Sequence, residues 1–211
     1  MPRTYGEGCV AAHALDLIGD RWALLIVREL MLGPKRFGAI RAGVPGIATN
    51  MLAQRLVDME AAGLLMQEVL PPPASILAYR LTAAGEGLWP VIAALCQWGA
   101  RQPGHDPRRF ISPTGLMLSM RALADRGGAP LAAGFVMGDE AFEVRLGAGR
   151  YEVIRAARPL CGPVFRGEAN GLAAVVYGRA GVADAVRAGL GQVEGDLGAA
   201  QAFVDRFRLG Q

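Results

Sequence analysis

Pro45 to Gly63, PGIATNMLAQRLVDMEAAG, is the stretch that decides how the first half of this chain folds. After the turn pair Pro45-Gly46, residues Leu52, Leu56, Met59 and Gly63 recur at three- and four-residue spacing, so they share one stripe of a helix. That stripe is the expected core face. The opposite face carries Thr49, Asn50, Gln54, Arg55 and Asp58, whose hydroxyl, amide and guanidinium groups suit base edges and phosphates in a major groove. Just upstream, PKRFGAIRAGV predicts a shorter helical segment with Lys35 and Arg36 at its start and Phe37 and Ile40 turned inward. Two short helices across a Gly/Pro turn form a helix-turn-helix candidate.

Periodicity alone fits any amphipathic helix of a bundle, and the residues that follow separate the two readings. Leu64 to Leu70 and Ile76 to Leu81 read as strands on either side of a proline-rich bend at Pro71 to Pro73, which makes a hairpin directly after the helix. A helix-turn-helix followed by a hairpin is a winged helix. Upstream of the pair, Val10, Ala14, Leu15, Leu17 and Ile18 predict a first helix ending near Gly19. WALLIVRELMLG predicts a second, apolar almost all round and closed by Gly33-Pro34. Thr82 is the expected N-cap of one long helix, TAAGEGLWPVIAALCQWGARQ, with Pro90 inside it. Its stripe of Leu88, Val91, Ile92, Leu95 and Trp98 suits either a dimer face or packing on its own domain.

Composition bounds the rest. With 211 residues, 52% of them hydrophobic, and a mean hydropathy of +0.27, the chain has ample apolar material for one large or two small cores. Nine basic and eight acidic residues precede His105, thirteen and eleven follow it, so only local placement of charge argues for nucleic acid. No basic-then-apolar leader and no run of roughly 18 to 20 apolar residues is present, which predicts a cytoplasmic protein with no membrane partner. Cys9, Cys96 and Cys161 are odd in number and far apart, which speaks against a disulfide framework or a paired-cysteine zinc site.

From Cys9 to Trp98 the chain resembles the HxlR family of bacterial winged-helix transcriptional regulators, relatives of the MarR group. The resemblance is carried by Cys9, Leu17-Ile18-Gly19-Asp20-Arg21-Trp22, Arg36-Phe37, Pro45-Gly46-Ile47, Gln54-Arg55-Leu56, Glu60-Ala61-Ala62-Gly63-Leu64, Leu81-Thr82 and Trp98-Gly99. It implies a homodimer on double-stranded operator DNA, with the helix from Thr49 in the major groove and the hairpin near the minor groove. DNA-contacting residues are then Lys35, Arg36, Thr49, Asn50, Gln54 and Arg55, the first two holding phosphates and the others reading sequence. The family's usual proline after the cysteine is Val10 here, and its usual basic residue early in the wing is replaced by Met66-Gln67-Glu68. Glu68 repels phosphate, so the wing is expected to add little affinity.

Pro103, Pro107 and Pro113 cluster in a polar connection, GHDPRRFISP, which divides the chain into residues 1–103 and 104–211. Beyond it, GLMLSMRALAD predicts a helix and FVMGDEAFEVRLGAGRYEVIRAA predicts short strands between Gly turns. FRGEANGLAAVVYGR predicts another strand or two, and helices over 182–190 and 197–207 close the chain. This half resembles the sterol-carrier-protein-like domains through FEVRLGAGRYEV, VADAVRAGL and VEGDLGAAQAFVDRF. The fold class is therefore α+β, a winged helix-turn-helix domain followed by a sterol-carrier-like α/β sandwich. The resemblance implies an apolar tunnel for a small molecule. Candidate lining residues are Met117, Met120, Phe135, Phe142, Tyr151, Phe165 and Tyr177, with Met137 and Arg121 as further candidates; the alternative is that they are simple core.

Cys9 is a candidate redox sensor at a helix start, as in related regulators, or else a small buried apolar residue. Cys9 and His13 stand i, i+4 with no third metal ligand in sight, so no metal is expected. No GxSxG, P-loop or HExxH motif occurs, which predicts neither a catalytic residue nor a cofactor, and no enzyme. Three functional readings follow: a regulator switched by an apolar small molecule in its C-terminal domain, a repressor switched at Cys9, and a carrier module tethered to DNA.

Overall fold

The computed structural model describes residues 4–71, 75–106, 108–159 and 161–207, which form two units, Met1–Ile92 and Ala93–Gln211. Helices α1 (Val10–Ile18), α2 (Ala23–Leu30), α3 (Phe37–Gly43) and α4 (Thr49–Ala61) lead into strands β1 (Leu65–Val69) and β2 (Leu77–Leu81). A short α5 (Ala83–Glu86) follows, then α6 (Trp89–Gly99), which runs from the first unit into the second. This is a winged helix-turn-helix. Leu52, Leu56 and Met59 of α4 are buried, together with Ile26, Val27 and Leu30 of α2 and Ile40 of α3. Burying each such aliphatic side chain contributes roughly 1.5–3 kcal/mol, so the stripe holds α4 down by its core face.

Gly63 departs from the expected stripe. It lies outside the helix, exposed, at φ +71°, with its N–H donating to Glu60 O (2.9 Å) and Leu64 N–H donating to Met59 O (2.9 Å). The pair closes α4 as a Schellman cap, which needs a residue tolerant of the left-handed region and turns the chain into β1. The wing pairs antiparallel from Leu65 opposite Leu81 to Val69 opposite Leu77, and Lys35 and Tyr79 exchange backbone hydrogen bonds of 3.0 and 2.9 Å beside it. Of the bend expected at Pro71 to Pro73, positions 72 and 73 lie outside the described residues.

The long helix expected from Thr82 is two helices. Thr82 does cap α5, its Oγ1 accepting from Gly85 N–H (3.3 Å), but the chain turns at Gly87-Leu88 and restarts at Trp89. Pro90 has no N–H for the carbonyl four residues back, so it is accommodated only in the first turn of a new helix. The first helix runs to Ile18 with Gly19 as its C-cap, as expected; only its Ala12 is buried, while Val10, Leu15 and Leu17 are exposed.

In the second unit, α7 (Pro113–Leu123) precedes the meander β3 (Leu131–Met137), β4 (Glu140–Gly147) and β5 (Arg150–Arg155), followed by β6 (Val164–Arg166), α8 (Ala169–Tyr177), α9 (Val182–Arg187), β7 (Gln192–Glu194) and α10 (Leu197–Val204). The strands form one sheet in the order β5-β4-β3-β6-β7, antiparallel except for β3 with β6. Ala148-Gly149, both at positive φ, make the tight β4–β5 turn. Helix α7 packs against β5 and α10 against β3. Ser112 and Asp196 cap α7 and α10, accepting from Gly115 N–H (2.9 Å) and Ala199 N–H (2.6 Å).

FRGEANGLAAVVYGR holds one three-residue strand and then helix α8, not a second strand. Leu172, Ala173, Val175 and Val176 are buried at i, i+1, i+3 and i+4, a helical face that the β-branched run disguises. A Cβ at Gly171 would collide with Leu190 O, so the glycine permits the close approach that seats α8.

Candidate nucleic-acid interface

The turn between α3 and α4 is pinned from inside by buried Val44 and Ile47, with Gly46 at φ +86° reversing the chain. It delivers the start of α4 to the surface. Thr49, Asn50 and Gln54 are exposed and Arg55 is half-buried. Ala48, at the N-cap, offers no side-chain acceptor to the first turn, which leaves that helix end open to an anion. Arg36 is exposed at the N-cap of α3.

The reading face is held by one carboxylate. Asp58 accepts from Gln54 Nε2 (2.8 Å) and pairs with Arg55 Nη2 (2.9 Å), while Asp20 stands 3.8 Å from Arg55 Nη1. Exposed pairs of this kind contribute about 0–1 kcal/mol, so both side chains exchange these partners for others readily. In the wing, Glu68 is matched by Arg80 at 2.9 Å, and Gln67 is fastened to Glu60 through Nε2 (2.8 Å) and its backbone N–H (3.2 Å). The acidic residue expected to repel phosphate is thus partly neutralised within its own hairpin.

Lys35 is not brought to this face. It is buried, with Nζ donating to Glu29 Oε2 at 2.8 Å, and Glu29 is itself wholly buried. Arg28 Nε donates to the other oxygen of Glu29 (3.0 Å), and Arg28 Nη2 donates to Gly43 O (2.8 Å). A carboxylate enclosed by apolar helices requires such cations, so Lys35 ties α2 to the start of α3 rather than reaching DNA. Two further arginines are exposed on this unit: Arg41, which borders a concavity with Gly38, Gly46 and Ala48, and Arg21, whose guanidinium lies 4.6 Å from the Trp22 ring.

Cys9 is exposed at the N-cap of α1, not buried, and the backbone N–H groups of Ala12 and Ala11 at the helix start favour its thiolate, which lowers the thiol below its ordinary range. The C-terminal candidates are placed differently from one another. Met117, Met120, Phe135, Phe142 and Phe165 are fully buried, with Phe135 and Phe165 stacked at 5.0 Å, and Tyr151 donates from within the core to Met117 O (3.3 Å). Burial raises the Tyr151 phenol far above its usual range. Tyr177 alone of the seven lines the cavity of about 470 Å³ found in the second unit.

Residues 17–106 match the HxlR-like helix-turn-helix family. An uncharacterized HTH-type transcriptional regulator of Synechocystis sp. is 34% identical over 95 residues, covering 45% of this chain and 70% of that one. The chain belongs to the HxlR-like family. Another uncharacterized HTH-type transcriptional regulator, YkvN of Bacillus subtilis, is 37% identical over 84 residues, 40% of this chain and 71% of its own. The reduced form of the transcriptional regulator YodB from B. subtilis is similar too, at 35% identity over 47% of this chain and 100% of that one, with a TM-score of 0.41. As an HxlR-type regulator, the protein has a winged helix-turn-helix within residues 17–106, and the second unit lies beyond the family match from residue 107 onward.

Proposed function

We propose that this HxlR-type regulator binds operator DNA as a homodimer and is switched by an apolar small molecule held in its C-terminal half. Residues 1–103 serve DNA binding and dimerisation, and residues 104–211 form a sterol-carrier-like ligand domain; the protein acts in the cytoplasm, where its DNA is. The observation that carries the DNA reading is α4 itself, a helix clamped by Leu52, Leu56 and Met59 with Thr49, Asn50 and Gln54 exposed on its other face. Arg36 and Arg41 position it on phosphates, Thr49, Asn50, Gln54 and Arg55 read bases, and Lys35 serves the scaffold. The dimer reading is supported by the exposed Val10, Leu15 and Leu17 of α1 and by Val91, Leu95 and Trp98 of α6, apolar surface that a second copy would cover.

Selection of sites from a random duplex pool tests this reading. Enrichment of a two-fold symmetric sequence with half-sites about one helical turn apart is the expected result. Enrichment of asymmetric single sites, or of none, overturns it. Native mass spectrometry of the purified chain, followed by operator binding with any bound compound stripped or restored, tests the effector.

A second reading has a specific observation behind it: the exposed Cys9 thiol is predisposed to ionise by the N–H groups of α1. Here mild oxidation releases the operator from the natural chain and leaves Cys9→Ser bound. Release from both proteins removes Cys9 as the switch.

A further inference from the structure

Within the second unit, the last turns of α6, residues 104–106 and 109–111 of the connection, and helices α7 and α8 border the cavity of about 470 Å³. That size lies within the roughly 300–1,000 Å³ of small-molecule sites. Leu95, Phe110, Ile111 and Leu123 make its wall apolar. Ser119 and Tyr177, which bear hydroxyls, interrupt that wall, as do His105, Asp106 and Arg109.

Counting hydrogens fixes what these hydroxyls offer. Ser119 Oγ donates to Leu116 O at 2.9 Å and lies 2.7 Å from Tyr177 Oη. A serine hydroxyl has one hydrogen. With that hydrogen on Leu116, the bond between the two side chains is donated by Tyr177, and the phenol oxygen is left with acceptor capacity only. Burial holds the phenol well above its ordinary range, so it stays protonated at any working pH. Among the lining residues, the Asp106 carboxylate is matched by Arg108 at 3.0 Å and by Arg109 at 4.0 Å, so it offers no unmatched anion and apolar fit dominates the selection of a ligand.

We propose that this cavity, rather than the aromatic core of the sheet, is the effector site, and that it selects a neutral apolar molecule carrying one hydroxyl or N–H donor directed to Tyr177 Oη. The proposal rests on the reading of the C-terminal half as a ligand domain. Its wall includes Leu95, Cys96 and Gly99 of α6, the same helix whose first turn belongs to the winged unit, so occupant and DNA-binding unit share one element.

Fluorescence titration of the full chain with 2-naphthol, a donor, and 2-methoxynaphthalene, its ether, tests the site. The expected result is about tenfold tighter binding of 2-naphthol, the effect of roughly one buried hydrogen bond. Tyr177→Phe removes that preference by weakening 2-naphthol alone. Ser119→Ala frees the Tyr177 hydrogen to donate and strengthens the ether, a gain that a purely structural role for Tyr177 does not produce. Gly99→Leu weakens both probes, because a Cβ at Gly99 meets no atom within 4 Å and further bulk there enters open space. Equal binding of the two probes, or absence of saturable binding, overturns the proposal. Operator affinity measured with 2-naphthol bound separates the underlying reading: the predicted selectivity with unchanged DNA binding keeps the site and removes its role as an effector site.

Discussion

Two carboxylates in the winged unit each hold two neighbours, and burial gives them opposite work. Glu29 is wholly enclosed and holds Lys35 at 2.8 Å and Arg28 at 3.0 Å; Asp58 is exposed and holds Gln54 at 2.8 Å and Arg55 at 2.9 Å. The distances are alike, and the surroundings are not. Around Glu29 these cations stand in for lost hydration, so the cluster acts as a fixed joint between α2, α3 and the strand edge at Tyr79. Around Asp58 water and salt are at hand, so the same bonds are a loose restraint.

Breaking the buried joint is therefore the largest effect expected. Glu29→Gln leaves Lys35 buried beside a neutral amide, and the cost is about 3–5 kcal/mol in urea unfolding of the winged unit. The double substitution Glu29→Met with Lys35→Met recovers most of that loss, because both charges go together. A loss under about 1 kcal/mol for Glu29→Gln shows that the joint is solvated and that the comparison with Asp58 fails.

That joint was hidden in the sequence, whereas α4 was plain there. Leu52, Leu56 and Met59 repeat within one helix, and local periodicity is what a sequence displays directly. Glu29 sits in the apolar run WALLIVRELMLG with nothing to mark it as buried, and its partner Lys35 lies beyond a Gly-Pro stop. Even Gly43 is part of the joint, since a Cβ there would overlap the Glu29 carboxylate, yet it reads as an ordinary helix end. The second unit was legible in its meander and closing helices, and less so at α8, where the β-branched Val175-Val176 suits a strand as well, and at β7, whose three residues are too few to show alternation. Phe135 and Phe165 are ligand candidates only through the sterol-carrier-like resemblance, and the same aromatic rings fill a core, which is where both lie. The cavity escaped because Ser119 and Tyr177, 58 residues apart, come together only in the fold.

On the exposed side, the effects move from stability to recognition. Gln54→Ala is expected to leave unfolding unchanged and to narrow the gap between operator and random DNA by about 1–3 kcal/mol, the discrimination of one base-reading amide. Arg36→Ala is expected to weaken both kinds of DNA alike and to lower the slope of log affinity against log salt by about 1. Equal losses on operator and random DNA for both variants, measured by anisotropy across a salt series, contradict the assignment of one to bases and the other to phosphate.

Asp58→Ala gives the smallest change in stability, within about 1 kcal/mol, and its sign on DNA binding is the sharpest test of the loose restraint. Removing an anion from the reading face reduces repulsion of phosphate and releases Gln54 and Arg55. Affinity for operator and random DNA should rise together, more at low salt than near physiological ionic strength, where charges are screened over about 8 Å. The opposite outcome has an equally definite meaning. If operator affinity falls while binding to random DNA rises, then Asp58 orients Gln54 and Arg55 for base contact, and its two hydrogen-bonded pairs belong to recognition rather than to the resting surface. Either sign, taken with the cost of Glu29→Gln, states how burial divides one kind of bond between holding the fold and reading the sequence.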